Sequence, residues 1–172
     1  GSDVPFFING GIQLCFGRGE ILEKLDSKLE YGILLLKNPN VSVSTAETYK
    51  KYSKRFCHQY LTNNEMIENI RKNLRDNFFK KFHFDYKNLT IKNDLQLVVE
   101  NENDSVNHAL NLLSSLNNCL TFSMSGSGPT CFAIFKDVDT AKNELKANYK
   151  LFKEKGYDSW VCSLLKKGIT FI

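Results

Sequence analysis

Thr121-Phe-Ser-Met-Ser-Gly-Ser-Gly-Pro-Thr-Cys-Phe-Ala-Ile-Phe135 places two apolar stretches on either side of a glycine turn. Thr121–Met124 and Thr130–Phe135 read as short strands bounded by turn residues. Gly126 and Gly128 give the backbone turns closed to other residues, so successive N–H groups can converge on one concavity. Ser125, Ser127 and Thr130 add hydroxyl donors, and such a nest suits a phosphate. A plain glycine hairpin turn carries the same signature, so the loop alone leaves both readings open. No G-K-[ST] follows, as a Walker loop requires, and the strand that follows argues against a dinucleotide fingerprint.

Working outward, Val106, Ala109, Leu110, Leu113 and Leu116 recur at helical spacing before the first strand. Beyond the second strand, Ala141, Leu145, Tyr149 and Phe152 mark a helix capped by Asp139 and stopped near Gly156. Trp160–Leu165 and Ile169–Ile172 have strand character. Helix, strand, glycine loop, strand, helix, strand predicts an α+β fold, with helices on one face of a mainly antiparallel sheet.

The first half is more varied. Ile12, Leu14 and Phe16 alternate with polar residues as a half-buried strand does, and Gly17-Arg-Gly19 breaks the run. Tyr31–Lys37 is continuously apolar and predicts a strand buried on both faces, stopped by Asn38-Pro-Asn40. Ser44 and Glu47 have capping-box spacing, and Ala46, Tyr49, Tyr52 and Phe56 follow at helical intervals. A second helix starts near Asn63 or Asn64 and carries Met66, Ile70 and Leu74. From Asp76 to Asn93 aromatic and basic residues alternate without a clear period, which reads as loop with short turns.

A chain of 172 residues with 42% hydrophobic content can bury one core. Lys plus Arg number 23 against 19 Asp plus Glu, a surplus that suits a phosphorylated small molecule better than nucleic acid, which calls for a basic stripe. The five cysteines are scattered without a C-x-x-C pair, so they read as buried free thiols of a reducing compartment. His58, His83 and His108 lack ligand spacing, so no structural metal is expected. The longest apolar stretch, Ile33–Leu36, is too short for a bilayer, and no basic-then-apolar leader occurs. Gly1-Ser2 has the form of a cloning remnant, whereas Val4–Ile8 has the composition of a fold interior.

Two further segments can carry chemistry. Asp3 precedes Val4-Pro5, as an N-cap would, and a carboxylate there can also accept a hydroxyl proton. Val41-Ser-Val-Ser-Thr-Ala-Glu47 sets hydroxyls at a helix entrance, as caps or as substrate contacts, with Tyr49 one turn on as a stacking ring. Lys50, Lys51, Lys54 and Arg55 form the solvated face of that helix.

Read in order, G-S-D-V-P-F-F at 1–7, G-R-G-E at 17–20, V-S-V-S-T-A-E-T-Y at 41–49, N-D-L at 93–95 and M-S-G-S-G-P-T at 124–130 resemble the galactokinase, homoserine kinase, mevalonate kinase and phosphomevalonate kinase (GHMP) superfamily. The D-V-P-F-F and V-S-V-S-T-A pieces resemble its branch acting on a cytidine-diphosphate-linked methylerythritol. The resemblance covers this whole chain and about the C-terminal half of such an enzyme. It implies a ferredoxin-like C-terminal substrate domain over 31–172, with 1–30 closing the preceding kinase domain. It implies ATP, with its Mg2+, as donor to the 2-hydroxyl in non-mevalonate isoprenoid synthesis, in a bacterial cytoplasm or a plastid-type organelle. Asp3 matches the catalytic carboxylate, Thr45 a substrate contact and Tyr49 the ring on cytosine. Ala46 stands where some members have proline. Ser125, Gly126, Ser127, Gly128 and Thr130 match the loop near the transferred phosphate. The ATP loop and the lysine partner of Asp3 belong to the N-terminal half, which the reaction requires, so this piece alone is expected not to turn over. No nucleic acid or membrane partner is implied. The alternatives are a non-catalytic module of the same fold, and a kinase for another small alcohol such as homoserine or mevalonate.

Overall fold

In a computed structural model of the chain, residues 1–25, 30–59, 63–84, 91–165 and 167–169 are described, with backbone alone for 25, 59 and 77–84. The elements run α1 (Val4–Asn9), β1 (Ile12–Phe16), β2 (Ile21–Leu25), β3 (Gly32–Lys37), α2 (Thr45–Phe56), α3 (Asn64–Phe84) and α4 (Gln96–Glu102). They continue with α5 (Asp104–Ser114), β4 (Thr121–Met124), β5 (Cys131–Phe135), α6 (Val138–Glu154) and β6 (Asp158–Ser163). Among the described residues no helix is long and apolar enough to cross a membrane.

Four strands form one sheet in the order β4-β5-β3-β6, each neighbour antiparallel. The β3-to-β4 connection passes over β5, and the β5–α6–β6 connection passes over β3. This split arrangement is ferredoxin-like, as the family resemblance implied, and it contains the antiparallel sheet with helices on one face predicted from the final third of the sequence. In an antiparallel pair, directly opposite residues share a face. Leu34 pairs with Ala133, and Leu36 and Met124 pair with Cys131, so these side chains line one face. That face packs with Val106, Ala109, Leu110 and Leu113 of α5 and Ala141 and Phe152 of α6 in a single core.

The opposite face carries Ile33, Leu35, Phe132 and Trp160, all partly exposed. β3 is therefore buried on one face and half-buried on the other, not on both. A continuous apolar run marks a central strand, but it does not say what covers each side.

Other expectations shift with the structure. The α5 stripe is buried as read, Leu116 included. The cap of α6 is Asp137, whose carboxylate accepts from Thr140 N at 2.7 Å; Asp139 lies in the first turn. Hydrogen bonds from Thr140 hold the Asp137 carboxyl below its ordinary range. The stretch from Asp76, read as loop, is helical through Phe84, because neither glycine nor proline interrupts it; 85–90 lie outside the described residues. β6 spans Asp158–Ser163, not Trp160–Leu165, and most of the final stretch (170–172) is likewise not described. Of the cysteines only Cys131 is buried, while Cys15, Cys57 and Cys162 are exposed. Burial pushes the Cys131 thiol up to about 12 and that of Cys119 up to about 11.

β1 and β2 form a separate antiparallel hairpin, Phe16 opposite Ile21. A two-arginine clamp joins it to α3. Glu23 accepts from Arg71 Nε at 2.6 Å and from Arg75 Nε at 2.9 Å, and the Arg71 guanidinium lies 4.7 Å from the centre of the Phe16 ring. Hydrogen bonds from Arg75 and then Arg71 lower the Glu23 pKa below its ordinary 4.5. A depressed carboxyl contributes stability that is fully present above the unfolded value and is lost as pH falls through the folded one. Hydrogen exchange at β2 amides is therefore expected to be faster in Glu23→Gln than in the parent at pH 7. That difference should shrink progressively below about pH 4.5.

Candidate active site

β3 ends where Asn38 Oδ1 accepts from Asn40 N at 3.0 Å, and an extended stretch then leads into α2. Ser44 caps that helix: its Oγ accepts from Glu47 N at 3.3 Å, and its carbonyl accepts from the Thr48 hydroxyl at 3.0 Å. Thr48 is the buried residue of α2, and the expected stripe of Ala46 and Tyr49 is not buried. Positions four apart share a helix face, so Thr45 and Tyr49 lie together on the outer side. Tyr49 is 58% exposed.

The glycine loop joins β4 to β5 as a hairpin connection, as the turn reading expected. Ser125 N donates to Thr130 O at 2.8 Å and Gly128 N to Ser125 O at 2.9 Å. Gly126 and Gly128 adopt φ of 54° and 84°, open to glycine and strained for other residues, and the Gly128–Pro129 peptide is cis. Thr45 Oγ1 lies 2.6 Å from Ser127 Oγ, so the entrance of α2 and the loop touch although 82 residues separate them. Among the described residues, Gly126 N and Ser127 N have no hydrogen-bond partner.

An open cleft of about 630 Å³ lies beside this contact, lined by Tyr49, Tyr52, Asn93, Phe132, Ser125 and Gly126. The Asp94 carboxylate, 2.8 Å from Lys92 Nζ, raises the Lys92 pKa at its rim. Sequence reading assigned Tyr52 to a core stripe and did not single out Phe132. The alternation along β5 was the available signal, since Phe132 points away from the face that holds Cys131 and Ala133.

Asp3 is not among the residues that line this cleft. It occupies the N-cap position of α1 with Pro5 in the first turn, as read, but at φ −83° and ψ −13° its side chain makes no cap bond. Its exposed carboxylate is near enough to Cys15 to add to the burial that raises that thiol's pKa. Backbone contacts fix its segment on two sides. A Cβ on Gly19 would lie 2.2 Å from Ser2 O, and one on Gly168 would lie 2.3 Å from Phe7 O and Ile8 O. Gly168 N also donates to Asn9 O at 3.2 Å. An apolar groove of about 410 Å³ runs between α1 and that returning segment. Among the described residues no hydrogen bond joins Asp3 to Thr45, Tyr49 or the loop.

The family model described as GHMP kinases C terminal matches residues 66–153. A 4-diphosphocytidyl-2-C-methyl-D-erythritol kinase of Prochlorococcus marinus (strain MIT 9312) is 79% identical over 172 residues, all of this chain and 55% of that protein. The protein of the same name from strain MIT 9515 is 59% identical over the same span. Among solved structures, homoserine kinase from Cytophaga hutchinsonii aligns with a TM-score of 0.58 at 20% identity, over 95% of this chain and 51% of its own. A 4-(cytidine 5'-diphospho)-2C-methyl-D-erythritol kinase structure aligns with a TM-score of 0.55 at 21% identity, over 95% and 53%. These likenesses show the fold, and the chain spans about half the length of the curated relatives it matches. With the split sheet, the loop between β4 and β5 and the family match over 66–153, the chain belongs to the GHMP kinases as their C-terminal part.

Proposed function

We propose that this chain is the acceptor-side part of an ATP-dependent kinase that phosphorylates the 2-hydroxyl of 4-diphosphocytidyl-2-C-methyl-D-erythritol in isoprenoid biosynthesis. The observation that carries the reading is Tyr49, a ring 58% exposed at the cleft and one turn from Thr45. The name shared by relatives identical at up to 81% over the whole chain supports the same acceptor.

Within this reading Tyr49 stacks on the cytosine and the Thr45 hydroxyl contacts the substrate. Asp3 accepts the proton of the attacking hydroxyl. Gly126 and Ser127 offer the loop's unpaired N–H groups to phosphate, with the hydroxyls of Ser125, Ser127 and Thr130 around them and Gly128 completing the turn. ATP supplies the transferred phosphoryl group. In this reading Mg2+ accompanies the ATP phosphates. Phosphoryl transfer depends chiefly on positioning and charge stabilisation, and these side chains supply both.

Residues 1–30 belong with the preceding ATP-binding half, and 31–172 form the acceptor domain. The exposed Val4, Phe7 and Ile8 of α1 support that division, since they offer an apolar surface to a neighbouring layer. Turnover requires both halves, and the reaction takes place in the cytoplasm of a bacterium.

Tyr49→Ala in the full-length protein is expected to raise KM for the cytidine substrate by roughly 5- to 150-fold, the value of about 1–3 kcal/mol for one base on an aromatic ring. KM for ATP should stay as it was. An unchanged KM for the cytidine substrate would move the acceptor to another small alcohol, such as homoserine or mevalonate.

A further inference from the structure

We propose that Asn93 is a positioning residue for the glycine loop, aiming the Ser127 N–H at bound phosphate; the proposal rests on the phosphate-loop reading above. Asn93 precedes α4, on a segment remote in sequence from the loop. Its Nδ2 donates to Met124 O and to Gly126 O, both at 2.8 Å, while its Oδ1 accepts from Leu95 N at 3.0 Å. One carboxamide therefore spends both donors on the loop and its acceptor on its own turn, an arrangement that fixes which way round the amide lies.

The consequence follows from peptide geometry. In a trans peptide the C=O and the following N–H point in opposite directions. Holding Met124 O turns Ser125 N–H away from Asn93, and that N–H is found on Thr130 O at 2.8 Å. Holding Gly126 O in the same way turns the Ser127 N–H outward, where it has no partner among the described residues. A Cβ on Gly126, whose φ is 54°, would meet nothing within 4 Å, so no neighbour presses on that residue. The Gly128 N–Ser125 O bond and the Thr45–Ser127 hydroxyl contact hold the turn on either side, and among the described residues the Asn93 amide is what holds the Gly126 carbonyl oxygen.

Asn93→Asp separates two roles. It keeps the acceptor for Leu95 N and sets an oxygen against two carbonyl oxygens in place of the donors. In the full-length protein this variant is expected to lower kcat by roughly 10- to 100-fold. Asn93 also lines the cleft, so any rise in KM for 4-diphosphocytidyl-2-C-methyl-D-erythritol should be smaller than the fall in kcat, and exchange of the Ser127 amide should be faster. Gln96→Ala is the comparison. Gln96 Oε1 accepts from Met124 N at 2.8 Å and Ser123 Oγ at 2.9 Å, so its loss loosens the same strand end without freeing Gly126 O. That variant should lose stability and keep kcat. Should Asn93→Asp not fold, Asn93→Ala removes the donors without adding charge and carries the same test.

The loop reading is checked on the unaltered protein, where a non-hydrolysable ATP analogue with Mg2+ should slow Ser127 amide exchange. No slowing there overturns the loop reading. Slowing there together with an undiminished kcat in Asn93→Asp overturns the role of Asn93 alone.

Discussion

Asp3→Asn in the full-length protein is expected to lower kcat by about 10²- to 10⁴-fold, the range contributed by a positioned general base. KM for both substrates should change little, because the amide keeps the shape of the carboxylate and loses only its capacity to take a proton. Stability should not change either. Asp3 is exposed and makes no cap bond, so the usual loss on removing an N-cap does not arise. Ser44 provides the contrast: it does cap α2, and Ser44→Ala should cost the ~1 kcal/mol typical of a lost cap. Steady-state kinetics with thermal unfolding of the two variants separates the roles. An Asp3→Asn enzyme with undiminished kcat would remove Asp3 from the reaction.

Phe152→Ala has the largest expected effect on stability. The side chain is 0% exposed and lies in the core shared by α5, α6 and the sheet. Emptying such a site costs about 3–5 kcal/mol, part lost transfer energy and part cavity. Tyr149, one turn earlier on the same helix, is 50% exposed, with Lys153 Nζ 6.0 Å from its ring centre. Tyr149→Ala should cost less than about 1 kcal/mol. Hydrogen exchange at the β3 and β5 amides measures both in the intact protein. Equal losses would show that α6 does not pack as described.

Those two residues also show what sequence patterns convey. Phe152 and Tyr149 share one apolar stripe in the sequence, yet only Phe152 meets the sheet. Spacing defines a helix face and leaves its width open. The α5 stripe was fully legible because its apolar positions all face one sheet. β2 and α4 went unread for a different reason. Ile21-Leu-Glu-Lys-Leu25 lacks strict alternation and, among the described residues, pairs with β1 alone, and Gln96–Glu102 is too short to show a period. In the site, Thr45, Tyr49 and the glycine loop were visible as motifs. Their meeting, through Thr45 and Ser127, depends on a contact across 82 residues that no local pattern encodes. Asn93 was visible only as part of N-D-L, because its partners are carbonyl oxygens and any sequence supplies those.

The backbone contact between Gly168 and α1 has a consequence for the order of folding. α1 leaves the ribosome before any other element of this stretch, and Gly168 follows β6. The sheet can close on α5 and α6 through contacts far shorter in sequence, whereas the seat of α1 must wait until nearly all of the stretch has been synthesised. Contacts of such separation form late, since loop closure must precede any gain from them. Within this stretch the segment carrying Asp3 is thus made early and seated late, so the proposed site is finished only when the surrounding fold is nearly complete.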